Sequence, residues 1–259
     1  MVNITFNLNN FEYFLLILVR ITAFMYVAPI FSTKGVPNQV KIGLSVFCSI
    51  LLYNVLDKPE LVYTDVIGYA VIVLSEGITG LLIGFSASVC SSIVIYAGNL
   101  IDVDIGLSMA SQFNSEMNYE TTVSGDLYYY AVMLMLLSSN MHSYVLRAAC
   151  DSFQVIPIGN PNFQLNALLN SMITYMTDFF VIGFRIFLPV FACIMILNCI
   201  LGIMAKVAPQ MNMFSVGMQM KVLVGLCIIY ITVFMMPNVA DFIFSEVKKM
   251  VVMVIEGMY

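Results

Sequence analysis

Six apolar stretches limit what this chain can become. They cover Phe11–Phe31, Ile42–Leu56, Val66–Ala97, Tyr128–Ala149, Met172–Met204 and Val216–Met236. A bilayer core is crossed by about 20 predominantly apolar residues of helix, and most of these stretches reach that length. The expected fold is therefore all-α, a multi-helix integral membrane protein. A final segment, Val239–Tyr259, interleaves apolar residues with Glu246, Lys248, Lys249 and Glu256, the pattern of an amphipathic helix. Composition agrees: 61% of the 259 residues are hydrophobic, 10% are charged and the mean hydropathy is +0.96. Soluble domains are about half apolar and about a quarter charged. An ordinary cytoplasmic enzyme and a disordered chain are thereby excluded. The net charge of −5 leaves no basic face for nucleic acid.

Turn residues mark the breaks at Thr33–Asn38, Asp57–Asp65 and Pro157–Pro161. Residues 1–10 carry no Lys or Arg, so a cleavable signal is not expected and the first stretch reads as a retained helix. The six cysteines lie in or beside apolar stretches with no C-x-x-C pair, which points away from a disulfide framework or a zinc site. His142 is the one histidine, too little for a catalytic or metal cluster. No cofactor, no metal site and no enzymatic activity are expected.

Loop charge does not orient the chain. With six spans, one side collects Lys34, Lys41, Lys206 and Lys221 and the other Lys58, Arg147, Lys248 and Lys249. The positive-inside bias therefore gives no answer. Either ten basic residues are too few for it to register, or the helices are not ordinary spans. Arg20, Glu76 and Arg185 sit inside apolar runs, where a lone charge costs at least about 3 kcal/mol on insertion scales. Pairing Glu76 with Arg20 or Arg185 relieves that cost, as a structural bridge or as a transport element. Pro29, Pro189, Pro209 and Pro237 break or kink the runs.

Gly80 and Gly84 form a G-x-x-x-G that Ser88 continues. Small residues on one face let helix backbones approach, most simply within one subunit. Of the 20 methionines, 18 lie at or after Met109. They suit either core filling or a compliant surface around a variable polypeptide. Asn99–Asp126 is a long break with no basic residue and five acids, Asp102, Asp104, Glu116, Glu120 and Asp126. Long loops of this kind tend to be functional or disordered.

The most specific stretch is Arg185–Gly225, RIFLPVFACIMILNCILGIMAKVAPQMNMFSVGMQMKVLVG. Its Arg185 and Pro189, the run Ala208-Pro209-Gln210-Met211-Asn212-Met213-Phe214, then Val216-Gly217 and Lys221, resemble the FliR family of bacterial type III export and its injectisome relatives. Asn140-Met141-His142 with Ser152-Phe153 and Pro157-Ile158-Gly159 is similar to a second family region. Arg20, Pro29 and Pro37 match its first loop, and Ile101-Asp102 with Gly106–Met109 the entry to its central loop. The resemblance covers nearly the whole chain, with Val216-Gly217 closer to the flagellar branch. The chain departs from the family at Met141 (Gly is usual), Gln219 (Pro) and Asn114-Ser115 (Asp-Pro).

The resemblance implies one export-gate domain over residues 1–259, with long, kinked, slanted helices packed in a hetero-oligomeric pore complex. It implies FliP-like and FliQ-like partners, FlhB-like and FlhA-like export components, unfolded substrate proteins in transit and surrounding lipid. The location implied is the bacterial inner membrane, in the flagellar basal body. The central loop, about 99–126, becomes a pore plug over 106–118, carried by Gly106, Leu107, Ser108, Met109, Ser111, Gln112, Phe113 and Asn114. Arg185, Pro189, Pro209, Gln210, Asn212, Phe214, Gly217 and Lys221 become an assembly motif, in which Gln210 and Asn212 could satisfy backbone groups freed by Pro209. Arg20 and Glu76 are expected as buried charges. Two other classes compete: an injectisome-type gate subunit, and a small-solute transporter using Glu76 with Arg20 or Arg185.

Overall fold

The computed structural model describes residues 8–33, 35–56, 63, 65–108, 122–159, 163–210 and 212–259. Among these, every regular element is a helix: α1 (Leu8–Val27), α2 (Asn38–Val55), α3 (Val66–Ile105), α4 (Val123–Ser138), α5 (Met141–Val155), α6 (Leu165–Val207), α7 (Met213–Val233) and α8 (Met236–Glu256). The chain is an all-α integral membrane protein. Among the described residues, four helices are long and apolar enough to cross a bilayer, over Asn10–Val27, Val66–Val89, Leu165–Val207 and Ser215–Val233.

The stretches at 42–56 and 128–149 do not supply such spans. α2 is turned inside out: Lys41, Ser45 and Ser49, four apart, are its buried residues, while Val40, Ile42, Phe47, Ile50, Leu51 and Val55 are exposed. Each serine hydroxyl donates to the carbonyl four residues back, Ser45 to Lys41 at 2.8 Å and Ser49 to Ser45 at 2.7 Å. The serine hydroxyls of the stripe are thus satisfied within the helix, and the apolar side faces outward. The fourth stretch is two helices. Asn140 adopts the left-handed conformation (φ 57, ψ 21) between α4 and α5, one that asparagine tolerates far better than apolar residues do.

The break expected at 99–126 is shorter at both ends. α3 continues to Ile105 because Ala97, Ile101 and Ile105 extend one fully buried face through the acidic positions. Gly106 (φ 94) then ends the helix, its N–H returning to the Asp102 carbonyl at 3.0 Å, a left-handed stop that glycine adopts without strain. Two of the prolines expected to break helices lie within them. Pro189 is inside α6. Pro237 falls in the first turn of α8, where no helical N–H is needed.

The chain forms two compact units. The first holds Met1–Val89, Asn140–Tyr175 and Glu246–Tyr259, and the second Cys90–Ser139 and Met176–Ser245. In the first, Leu16, Ile17, Ile21, Phe24 and Met25 of α1 are buried with Ile83 and Ala87 of α3. In the second, Ile93, Val94, Ile101, Tyr128, Val190 and Ile194 are buried.

Candidate functional site

In the first unit, helix contact comes before charge. A side-chain carbon at Gly80 would strike the Arg20 carbonyl, and one at Gly84 would meet the Phe24 carbonyl at 2.9 Å. The backbones of α1 and α3 thus touch at the G-x-x-x-G, the packing within one subunit that its spacing allows. One turn before Gly80, Glu76 lies opposite Arg20. The Arg20 Nε donates to Glu76 Oε2 at 2.5 Å, and both side chains are buried. Of the two arginines weighed as partners, Arg20 is the one that meets Glu76.

The pair is held by backbone as well as by itself. Arg20 Nη1 donates to the carbonyls of Ser152 (3.4 Å) and Ile156 (3.2 Å) at the end of α5, where a helix presents unsatisfied carbonyls and partial negative charge. The guanidinium carbon stands 4.3 Å from the centroid of the Phe153 ring, a cation–π contact. Glu76 Oε1 accepts the N–H of Gly159 at 3.0 Å. Gly159 has φ 90, so the Pro157-Ile158-Gly159 turn aims a backbone donor at the carboxylate. One ion pair therefore ties α1, α3 and the α5 exit together. Arg20 Nη2 is buried without a hydrogen-bond partner among the described residues.

The second unit carries the ends of the expected plug. Asp102, near the end of α3, accepts the Ser124 N–H at 3.1 and 3.2 Å and the Ser124 hydroxyl. This carboxylate takes the capping role at the start of α4 that Thr122, at the N-cap, does not fill with its own side chain. Burial raises the Asp102 carboxyl above its usual range, against the opposing pull of the Ser124 donors. Asp104 is raised too, by burial, with Lys221 acting in the opposite direction. Gly98 and Gly125 are in backbone contact, leaving no room for a side chain at Gly98. Tyr128 and Thr232 share a hydroxyl hydrogen bond of 2.8 Å, joining α4 to α7. Ile105 packs where a side chain at Gly225 would sit.

Gly106, Leu107 and Ser108 are half-buried beyond this base. Met109, Ser111, Gln112, Phe113 and Asn114 lie outside the described residues. In the motif after α6, Pro209, Gln210 and Asn212 are exposed. Asn212 is the N-cap of α7 but makes no side-chain capping bond; its backbone carbonyl accepts from Val216 at 3.2 Å. Gly217 is buried against Leu201, Lys221 is half-buried, and nothing is described of the Phe214 side chain. Arg185 is exposed, with its guanidinium carbon 5.4 Å from the centroid of the Phe242 ring, and Pro189 is exposed one turn on. The sequence reading passed over Asp178, a carboxylate inside the apolar α6; its position in the run was the available signal.

The family model for bacterial export proteins, family 1, matches residues 11–247. The chain belongs to this family. Curated proteins of comparable length are similar along most of the chain. The Bacillus subtilis flagellar biosynthetic protein FliR is 29% identical, covering 91% of each chain. The protein of that name from Escherichia coli is 27% identical over 89% of this chain and 87% of its own, and that from Aquifex aeolicus 28% over 86% and 88%. The matched span contains Arg20, Glu76, Asp102 and the Ala208–Phe214 run.

Proposed function

We propose that this chain is a core subunit of the flagellar type III protein export gate. The observation that carries the reading is the family match over residues 11–247, with relatives named flagellar biosynthetic protein FliR along about nine-tenths of the chain. On this reading it builds, with FliP-like and FliQ-like subunits, a pore in the inner membrane at the flagellar basal body. FlhB-like and FlhA-like components act beside it, and unfolded proteins pass through. Residues 1–259 serve as one gate domain, and the segment 106–118 is its plug.

The geometry supports gating over catalysis. The chain on either side of the proposed plug is joined, where Asp102 holds Ser124 and Gly98 meets Gly125. A chain that displaces the plug then moves a loop between joined ends. Apolar plug residues seal a narrow constriction by excluding water. The exposed Pro209-Gln210 turn is free to meet neighbouring subunits in the slanted, hetero-oligomeric packing this reading requires. A small-solute transporter would use Glu76 and Arg20 as mobile coupling groups, yet each is committed to the other and to backbone partners.

Affinity purification of the tagged chain from cells making the export apparatus is expected to recover FliP- and FliQ-like subunits. Recovery of the chain alone refutes the reading. Deleting Ser108–Asn114 is expected to leave that complex intact while making membranes leak ions. An assembled complex without leak refutes the plug. Pro209→Leu is expected to lower recovery of the complex; normal recovery with lost export would move the motif from assembly to gating.

A further inference from the structure

Besides Lys206 in its last turn, α6 carries two charges in its interior, Asp178 and Arg185. Asp178 is half-buried, and its Oδ2 is shut off from solvent with no hydrogen-bond partner among the described residues. An unpaired carboxylate oxygen in such a place is costly. Arg185 follows seven residues later. Among the described residues no ion pair engages it, and its contact is the face of Phe242. Seven residues are nearly two turns, so both charges lie on one side of α6, about 10 Å apart along its axis. That is too far for them to bond each other. Val181 between them and Leu188 beyond are exposed apolar residues of the same stripe. Pro189 has no N–H to give the Arg185 carbonyl, which adds an unfilled acceptor there.

We propose that this stripe is the docking seam for a membrane helix of a different polypeptide. That helix carries a Lys or Arg opposite Asp178 and, two turns away, a carboxylate opposite Arg185. The inference rests on the export-gate reading and adds the place and chemistry of one subunit contact. Lipid leaves both charges unpaired in an apolar setting, the arrangement bilayers disfavour most. A second copy does not fit. Two copies inserted in one orientation present α6 side by side in parallel, and Asp178 would then face Asp178, Arg185 face Arg185. A partner of reversed pattern answers both charges at once, its cation reaching Asp178 by the part of this half-buried side chain that stays exposed, with Val181 and Leu188 supplying contact area around them.

Photocrosslinking tests the seam in the assembled apparatus. A benzophenone amino acid replaces Val181 in the full chain, expressed with the whole export machinery, and adducts are mapped by mass spectrometry. The expected product joins Val181 to a membrane helix of another subunit that bears a basic residue within two turns of the crosslinked position. Asp178→Lys with Arg185→Glu is expected to reduce that adduct about tenfold or more, and exchanging the two facing charges on the partner helix to restore it. An adduct with lipid only, with a second copy, or with a helix lacking the basic residue overturns the proposal without recourse to any charge variant. If the tagged chain still recovers its partner subunits in that case, the seam alone has failed. If it recovers none, the gate reading has failed and the seam with it.

Discussion

Replacing Glu76 with glutamine removes one charge and almost no volume. The amide oxygen can replace one carboxylate oxygen only, accepting either from Gly159 or from Arg20 Nε, which stand 3.0 and 2.5 Å from the two oxygens, and the amide NH2 then faces the other donor. In addition, a buried guanidinium loses its counter-charge. It keeps two carbonyls at 3.2 and 3.4 Å and the Phe153 face. Stranding one member of a buried pair costs about 3–5 kcal/mol. That is two to three and a half decades in the folding equilibrium at 1.4 kcal/mol per decade, and a large part of the roughly 5–15 kcal/mol of stability typical of a folded protein. Arg20→Met strands the carboxylate instead. A carboxylate can escape by taking up a proton, whereas a guanidinium cannot lose one. Glu76→Gln is therefore expected to be the worse single change, and the double variant Arg20→Met with Glu76→Met better than either single one. The assay is chain level in membranes, by immunoblot, together with melting of the detergent-solubilised chain by fluorescence-detected size exclusion. Glu76→Gln that accumulates and melts like the parent chain refutes the argument, as does a double variant whose loss equals the sum of the singles.

Other expectations follow from the same packing. Gly80→Leu drives a side chain into the Arg20 carbonyl; it is expected to lower chain level at least as far as Glu76→Gln, while Gly43→Leu, with open space around it, leaves the level unchanged. Gly159→Ala places a side chain at φ 90 and is expected to cost about 1–2 kcal/mol, read as a small fall in melting temperature. Asp102, beyond the apolar window of α3, has its carboxyl raised by burial. A raised folded-state value means the folded chain favours the protonated form; that contribution is complete below the unfolded-state value and is lost as pH rises through the folded one. Asp102→Asn, which cannot ionise, is therefore expected to gain on the parent chain as pH is raised, in melting profiles taken from pH 4 to 8. A parent chain that gains instead shows that the Ser124 donors outweigh burial.

Much of the helical layout was legible because burial in an apolar medium needs long uninterrupted runs, and those are visible in any single sequence. The failures share one cause. Ends of helices are decided by contacts that a linear reading does not hold. Asp102 and Asp104 looked like loop acids, yet the buried face of Ala97, Ile101 and Ile105 carries the helix past them. Asn140 was hidden in an apolar stretch, although its left-handed turn divides it. The polar stripe of α2 was missed because Lys41 was read as a loop charge before the stretch, and Ser45 and Ser49 are few among many apolar neighbours. The site divided in the same way. Arg20 and Glu76 stood out as charges in apolar runs, but their backbone partners at Ser152, Ile156 and Gly159 are far away in sequence.

Helix length carries the last step. α3 has 40 residues and α6 has 43, about 60 and 65 Å at 1.5 Å per residue. A hydrocarbon core of about 30 Å covers only half of either helix standing upright. Tilt alone would have to exceed about 60° to hold α6 inside it, against a usual range of about 0–40°. Yet the apolar character of α6 does not fade toward either end: Leu165, Leu169 and Ile173 are exposed at one, Ile200, Ile203 and Val207 at the other. Surface that is apolar, exposed and too long for the bilayer needs cover other than lipid. This is why the export-gate reading requires neighbouring subunits around α6, and why Asp178 and Arg185, set among those apolar residues, are where their chemistry can first be read.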